Sequence, residues 1–238
     1  MSVNDVSSTE IPTKHDLRKL TAYHEAAHAV LFNMMDMGST ILVTIEPTED
    51  LDFEGHHQYR YNRPRQIEGP HQMLELHIKD FLHSAVGWLA ECRFDPEQCE
   101  DGAPCWHFFF EGFSWSGAAT DNDSALESLN AAAIILGRPC EYRSYYTHAM
   151  QHEIESLAIN IMDPACWRLI EAVAEGLLKN GHLSGEDLRR FQIPRWDPET
   201  DPARQLASRW VRRFHRWYPN PKITFLGWPE CGWISNAS

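Results

Sequence analysis

The stretch TAYHEAAHAV at positions 21–30 places His24, Glu25 and His28 in an H-E-x-x-H pattern. On a helix, residues four positions apart project from one side, so both imidazoles can reach a single Zn²⁺. The glutamate then lies beside a metal-activated water and can take its proton as the water attacks a carbonyl. With 13 His and 20 Glu in 238 residues, the pattern arises by accident in roughly one such chain in twenty. The alternative is therefore a pair of solvent-facing or core-satisfied histidines.

The helix carrying this pattern is predicted from Thr13 or Lys14 to Met37, closed by Gly38. Its apolar residues follow helical spacing and form one stripe: Leu20, Tyr23, Ala27, Val30, Leu31 and Met34. On a helical wheel the two histidines lie beside this stripe, about 40° apart, with Glu25 one step further out. Metal ligands on the floor of a cleft would occupy that position, and this favours a zinc site over the alternative.

Composition predicts a globular protein of one large domain or two small ones, with 43% hydrophobic and 23% charged residues. The longest apolar run, Ala131–Leu136, is too short to span a bilayer, and the N-terminal residues lack the pattern of a signal peptide. The six cysteines form no CxxC pair, which predicts reduced thiols and a cytoplasmic location. A disulfide within the Cys92, Cys99 and Cys105 loop is the alternative.

The net charge of −13 is unevenly distributed, since positions 203–222 carry six basic residues and no acidic one. An acidic body argues against nucleic acid as the main partner. The tail, residues 194–238, is rich in Pro, Trp and Arg. Its segment Arg209–Tyr218 reads either as a basic amphipathic helix for a membrane surface or partner, or as aromatics that pack back on the body. We favour packing on the body.

The remaining pattern predicts a mainly α fold (α+β) with a small β element. A β-branched strand is expected directly after the first helix, at Thr40–Glu46, and an edge segment at Gly55–Tyr59. Further helices are predicted at 70–92, from 121 or 123 to 137, at 142–162 and at 164–180. Gly181 is expected to end the last of these, and a short helix capped by Ser184 follows.

Four segments resemble, in order, those of the FtsH-type zinc metalloproteases. TAYHEAAHAV is similar to that family's A-Y-H-E-A-G-H-A helix, and SAVGWLAE at 84–91 to its G-G-R-A-A-E segment. GAATD at 117–121 resembles its G-A-S-x-D stretch, and the segment 165–190 resembles its two closing elements. The matches span about residues 17–191, so a peptidase domain is predicted at 13–193. Ala27 and Trp88 depart from the family pattern, where Gly and Arg are usual.

The resemblance implies one Zn²⁺ per chain, held by His24, His28 and Asp121, with Glu25 as the general base. From the residues alone, Asp121 is more typical of a helix N-cap, and Asp123 is the fallback ligand. Glu91 is the other candidate ligand; by the resemblance it is better explained as a helix-end carboxylate, which at most orients an imidazole N–H. By resemblance, substrate pairs with the strand edge at Gly55, His56 and His57, although such histidines are more often exposed strand positions.

No ATPase module or phosphate-binding Gly-rich loop is seen, so the predicted function is an ATP-independent endopeptidase acting on unfolded or extended polypeptides. The family forms six-fold rings, and a homo-oligomer is accordingly expected. The rival hypothesis is a non-catalytic scaffold or regulatory subunit that keeps the fold and the metal; a zinc hydrolase of non-peptide amides is a third. The histidines at 71, 77 and 83 do not share a helix face, which argues against a second metal site there.

Overall fold

The computed structural model describes residues 14–46, 55–62, 69–96, 119–136 and 145–217. In this part of the chain the helices and strands occur in the following order: α1 (Lys14–Met34), β1 (Gly38–Thr44), β2 (His56–Tyr61), α2 (Pro70–Phe94), α3 (Ala119–Ile135), α4 (Tyr145–Ile161), α5 (Pro164–Asn180), β3 (His182–Ser184), α6 (Gly185–Leu188), a 3-10 turn (Arg189–Phe191) and α7 (Pro202–Trp217). The fold is therefore mainly helical with a small sheet, as the sequence predicts at this level.

The first helix ends three residues earlier than predicted. Its last helical residue is Met34, and the chain then turns through Asp36, which has a positive φ of 51°. Asparagine and aspartate tolerate this left-handed conformation better than most residues. Gly38 is consequently the first residue of β1 rather than a helix cap, and β1 ends at Thr44 instead of Glu46.

The sheet has three antiparallel strands in the order β2-β1-β3. Thr44 pairs with both His56 of β2 and His182 of β3, which fixes the register on either side of the central strand. β2 is thus an edge strand, and no other strand of the described residues pairs with its outer side.

Helix α1 lies at the centre of the core, between α2, α5 and β1. Val30 of its apolar stripe and the neighbouring Phe32 are fully buried, and α2 contributes Phe81 and Leu82 to the same core. Each such side chain stabilises the fold by roughly 1.5–3 kcal/mol through removal of its apolar surface from water. Helix α2 also packs against α3. This packing places α1, α2 and α3 around one region.

The closing elements have defined caps, of which Gly181 and Ser184 are predicted from the sequence. Asp163 accepts hydrogen bonds from the backbone N–H groups of Ala165 and Cys166 at the start of α5. Gly181 ends that helix with φ +78°, a conformation suited to glycine. Ser184 and Asp187 form a reciprocal capping box at α6.

The C-terminal helix α7 packs against α2. The Trp210 side chain is 1% exposed, and its indole N–H donates to Glu153 of α4. At the other end of the helix, Lys79 of α2 contacts Asp201. The described part of the tail thus packs on the body, the alternative that the sequence favours. The side chains of 214–217, and all of Tyr218 and the residues after it, lie outside the described residues.

The disulfide alternative is not tested, because Cys99 and Cys105 lie outside the described residues; Cys92 is buried. None of the described helices combines the length and the apolar character needed to cross a bilayer.

Candidate metal centre

Helix α1 presents His24 and His28 side by side in the interior. The two side chains are 4% and 5% exposed, and their Nε2 atoms lie 3.0 Å apart. The sequence predicts this common direction from the spacing of four residues. Burial excludes the alternative of two solvent-facing histidines.

Asp121 reaches both histidines from helix α3. Its Oδ2 atom lies 3.1 Å from Nε2 of His24 and 3.0 Å from Nε2 of His28. The helix begins at Ala119, so Asp121 lies within its first turn and is not the N-cap. The fallback residue, Asp123, is exposed. Asp121 is therefore the aspartate that the fold brings to the histidine pair.

These three atoms make a group suited to a metal ion, and among the described residues it is the one such group. All three ligand atoms lie 3.0–3.1 Å apart, close to the roughly 3.3 Å expected between ligands at zinc–nitrogen distances of 2.0–2.1 Å. N–H groups of the imidazoles can donate to the Asp121 carboxylate, but two such donors would also face each other across the 3.0 Å between the Nε2 atoms. One metal ion satisfies all three atoms at once.

Glu91 of α2 contacts the ring nitrogen of His24 that faces away from His28 and Asp121. The carboxylate is fully buried, and its Oε1 accepts a hydrogen bond from Nδ1 of His24 at 2.5 Å. With the proton at Nδ1, the lone pair at Nε2 points towards Asp121 and His28. This is the carboxylate–imidazole arrangement that fixes the tautomer of a metal-binding histidine, and it matches the place that the sequence leaves for Glu91.

The charges around the site act on its protonation. Burial alone would lower the pKa of His24, but the carboxylates of Glu91 and Asp121 hold it well above its usual value. Burial alone would raise the pKa of Asp121, yet the imidazoles of His28 and His24 hold it far below its usual range. A proton therefore competes with a metal ion for His24, and metal binding must release it.

Glu25 lies next to the histidine pair and against the start of β2. Its side chain is 7% exposed, and burial raises the pKa of its carboxyl group, against the opposing effect of His24 and His28. A Cβ atom added to Gly55 would lie 2.6 Å from Oε1 of Glu25. The backbone just before β2 thus approaches the carboxylate more closely than any residue with a side chain would permit.

Gly87 of α2 is the second glycine whose backbone lies close to a side chain of the site. A Cβ atom there would lie 2.5 Å from Nε2 of His24 and 2.6 Å from Nε2 of His28. The space in front of both nitrogens therefore depends on the absence of a side chain at this position. Sequence reasoning treats Gly87 only as part of a structural segment; its place one turn before Glu91 on the same helix is the signal that points to the site.

The three residues predicted to bind substrate occupy different positions. Gly55 contacts Glu25. His57 is buried at 8% exposure, and its Nε2 makes a hydrogen bond with Oγ1 of Thr40. The alternative of an exposed strand position is wrong for His57, because the pleat turns it towards the helices. His56, one residue earlier, is half-buried.

A further histidine, which sequence reasoning set aside, lies beside the site. The His83 ring on α2 is 4.9 Å from the His28 ring and 5.6 Å from the His57 ring, measured between centroids. Burial lowers the pKa of His83 to about 3 and that of His57 well below its usual value. The spacing of the histidines at 71, 77 and 83 gives no signal for this role, because they do not share a helix face. His83 alone reaches the site, through the packing of α2 on α1.

Comparison with known proteins adds no relative. No protein-family model matches the chain, and the search of curated proteins finds no match. The functional assignment therefore depends on the geometry described above.

Proposed function

We propose that this protein is a zinc-dependent endopeptidase that hydrolyses extended or unfolded polypeptides without ATP. The observation that carries the proposal is the convergence of His24, His28 and Asp121 within 3.1 Å of one another. Glu25 beside them and a set of three ligands among the described residues support a hydrolytic site, because a structural zinc site is closed by four protein ligands.

The donor set suits zinc, since imidazole and carboxylate are ligands that it prefers. When bound in such a site, zinc acts as a Lewis acid and lowers the pKa of a coordinated water to about 7. His24 and His28 would hold it through Nε2 and Asp121 through Oδ2. The remaining chemistry belongs to the chain's own residues.

Glu25 is suited to move the proton. Because burial raises the pKa of its carboxyl group, Glu25 binds a proton more readily near neutral pH than an exposed glutamate does. A general base with such a pKa takes the proton of the attacking water and later gives it to the departing amine. Proton transfer of this kind contributes a rate factor of roughly 10²–10⁴.

The edge strand β2 provides a place for the substrate backbone. Its outer side is unpaired within the described part of the chain, and Gly55, directly before the strand, touches Glu25. An extended peptide that adds to this edge would run past the catalytic carboxylate. Main-chain hydrogen bonds of this type give affinity with little dependence on side chains, which agrees with unfolded polypeptide as the substrate.

The FtsH-type fold, the ring assembly and the cytoplasmic location belong to the same proposal. The order of a histidine-bearing helix, a strand, a long helix with Gly87 and Glu91, and a helix with Asp121 supports the fold. The mass of the purified protein in solution tests the ring, for which six copies are expected.

Zinc analysis and cleavage of unfolded casein test the function together. We expect about one zinc per chain and chelator-sensitive cleavage in wild type. Glu25→Gln should keep the zinc and lose activity by at least 100-fold. Glu199→Gln, which alters an exposed carboxylate far along the chain, should behave as wild type.

The outcomes separate the alternatives. If wild type binds zinc and cleaves no polypeptide, the scaffold hypothesis is correct. Equal activity in wild type and Glu25→Gln would show that another group acts as the base, and absence of bound zinc would refute the proposal altogether.

A further inference from the structure

The two histidines of the site have unequal surroundings at their second ring nitrogen. Nδ1 of His24 is hydrogen-bonded to the buried Glu91 carboxylate. Nδ1 of His28 is also buried, yet it has no hydrogen-bond partner among the described residues. If Nε2 of His28 binds a metal ion, the proton of the neutral ring must be on Nδ1. A buried N–H without an acceptor is energetically unfavourable.

His83 carries the complementary atom. Its Nε2 is buried and also lacks a partner within the described residues. The ring centroids of His28 and His83 are 4.9 Å apart and the rings are inclined at 57°. For comparison, the His24 and His28 rings have centroids 4.7 Å apart and nitrogens 3.0 Å apart. Because neither nitrogen has a direct partner within the described part of the chain, the two atoms are not hydrogen-bonded to each other, and one water between the neighbouring rings would satisfy both.

We propose that His83 is a positioning residue for the metal centre: Nε2 of His83 accepts a hydrogen bond from one buried water, which in turn accepts from Nδ1–H of His28. The inference rests on the proposed metal site and adds to it a residue outside the ligand set. The water then satisfies both the unpartnered donor and the unpartnered acceptor. The water bridge would fix the ring of His28 with Nε2 turned to the ion, as Glu91 does for His24.

The ring of His83 is itself held in place by its neighbours. Phe32 of α1 lies 5.4 Å away, and His57 and Tyr59 of β2 lie 5.6 Å and 5.3 Å away, each between ring centroids. Aromatic groups from two elements thus restrict its rotation. A positioning residue must have such a restriction, since an acceptor that rotates freely would not orient its donor.

A neutral orienting group also suits the charge of the site. Glu91 and Asp121 together carry two negative charges, which a divalent ion balances. A carboxylate behind His28 would add a third next to the catalytic Glu25, and an excess of negative charge in a buried site is costly. An imidazole gives the same directional acceptor without the charge.

The proposal is tested first by the tautomer of His83. Long-range ¹H–¹⁵N NMR spectra of the zinc-loaded protein, with ring signals assigned through single His→Gln variants, report which nitrogen carries the proton. We expect His28 protonated at Nδ1 and His83 protonated at Nδ1, with Nε2 of His83 free of a proton. If His83 is protonated at Nε2, that nitrogen cannot accept the hydrogen bond and the proposal is overturned.

Variants at position 83 supply a second test. His83→Leu removes the acceptor and should weaken zinc binding, measured by chelator competition, by about 10–100-fold. His83→Gln places a carbonyl oxygen at a similar reach and should restore affinity to within a few-fold of wild type. His152→Leu removes a surface imidazole that is 85% exposed and should have no effect.

The spectrum of the cobalt-substituted protein separates positioning from loss of stability. His83→Leu should shift the visible Co²⁺ bands relative to wild type, and His83→Gln should return them. Equal affinity and equal spectra for the Leu and Gln variants would overturn the inference while leaving the metal site intact. Failure of wild type to bind zinc at all would instead refute the proposed function.

Discussion

Gly87→Ala is the sharpest test of the metal centre, because it adds one methyl group at the point where three helices meet. The new Cβ would lie 2.5 Å from Nε2 of His24 and 2.6 Å from Nε2 of His28, whereas ordinary contact begins at 3.4 Å. The imidazoles would have to retreat by on the order of 1 Å. Metal–ligand distances tolerate deviations of only about 0.2 Å.

The expected loss is therefore larger than that from removing a supporting hydrogen bond. Loss of such support weakens metal binding by about 10–100-fold, and displacement of two ligands should exceed the upper value. We expect zinc affinity to fall by more than about 100-fold, or about 2.7 kcal/mol. Alanine is at the same time the better helix former by about 1 kcal/mol, so helix α2 itself gains.

The assay is zinc stoichiometry and chelator competition on folded protein, with helix content followed by circular dichroism. Gly176→Ala is the matched control: it also replaces a helical glycine, but its Cβ would meet only the Phe191 ring and the Leu183 side chain, at 3.2–3.3 Å. That variant should bind one zinc as wild type does. If folded Gly87→Ala also binds one zinc with wild-type affinity, the two nitrogens do not face the space in front of Gly87 and the argument fails.

Three further predictions follow from the same structure. Glu91→Gln should weaken zinc binding by about 10–100-fold in a competition assay, because Nδ1 of His24 loses its carboxylate acceptor; unchanged affinity would contradict this role. Trp210→Ala should cost about 3–5 kcal/mol in denaturant unfolding, since the side chain is 1% exposed, whereas the exposed Arg209→Ala should change stability by no more than about 0.5 kcal/mol. In metal-free protein, burial lowers the pKa of His83 to about 3, so the folded protein keeps this imidazole neutral. The contribution of His83 to the free energy of unfolding is therefore complete above the unfolded-state pKa of about 6.5. It decreases as the pH falls, by about 2 kcal/mol at pH 5. The unfolding free energy of His83→Gln should lack that part of the decline, and parallel curves for variant and wild type would refute it.

Local features were predicted well where the signal lies within a few residues. Gly181 ends α5 and Ser184 caps α6 as expected, because each cap depends only on its own backbone conformation and the next turn. The end of α1 was predicted wrongly, since Asp36 takes up the turn that Gly38 was expected to make. Either residue tolerates a positive φ, and only the path into β1 selects between them.

The sequence by itself determined that His24 and His28 share one side of a helix and that Glu25 follows directly, because the helical repeat sets directions over four residues. Only the tertiary structure decided between Asp121 and Asp123, since these residues lie 93 or more positions from the histidines and the choice depends on how α3 packs on α2. The same holds for Gly87, whose missing side chain matters only because α2 crosses directly in front of both imidazoles. His83 belongs with them: its partner is chosen by contact between two helices, and no spacing along one chain segment encodes such a contact.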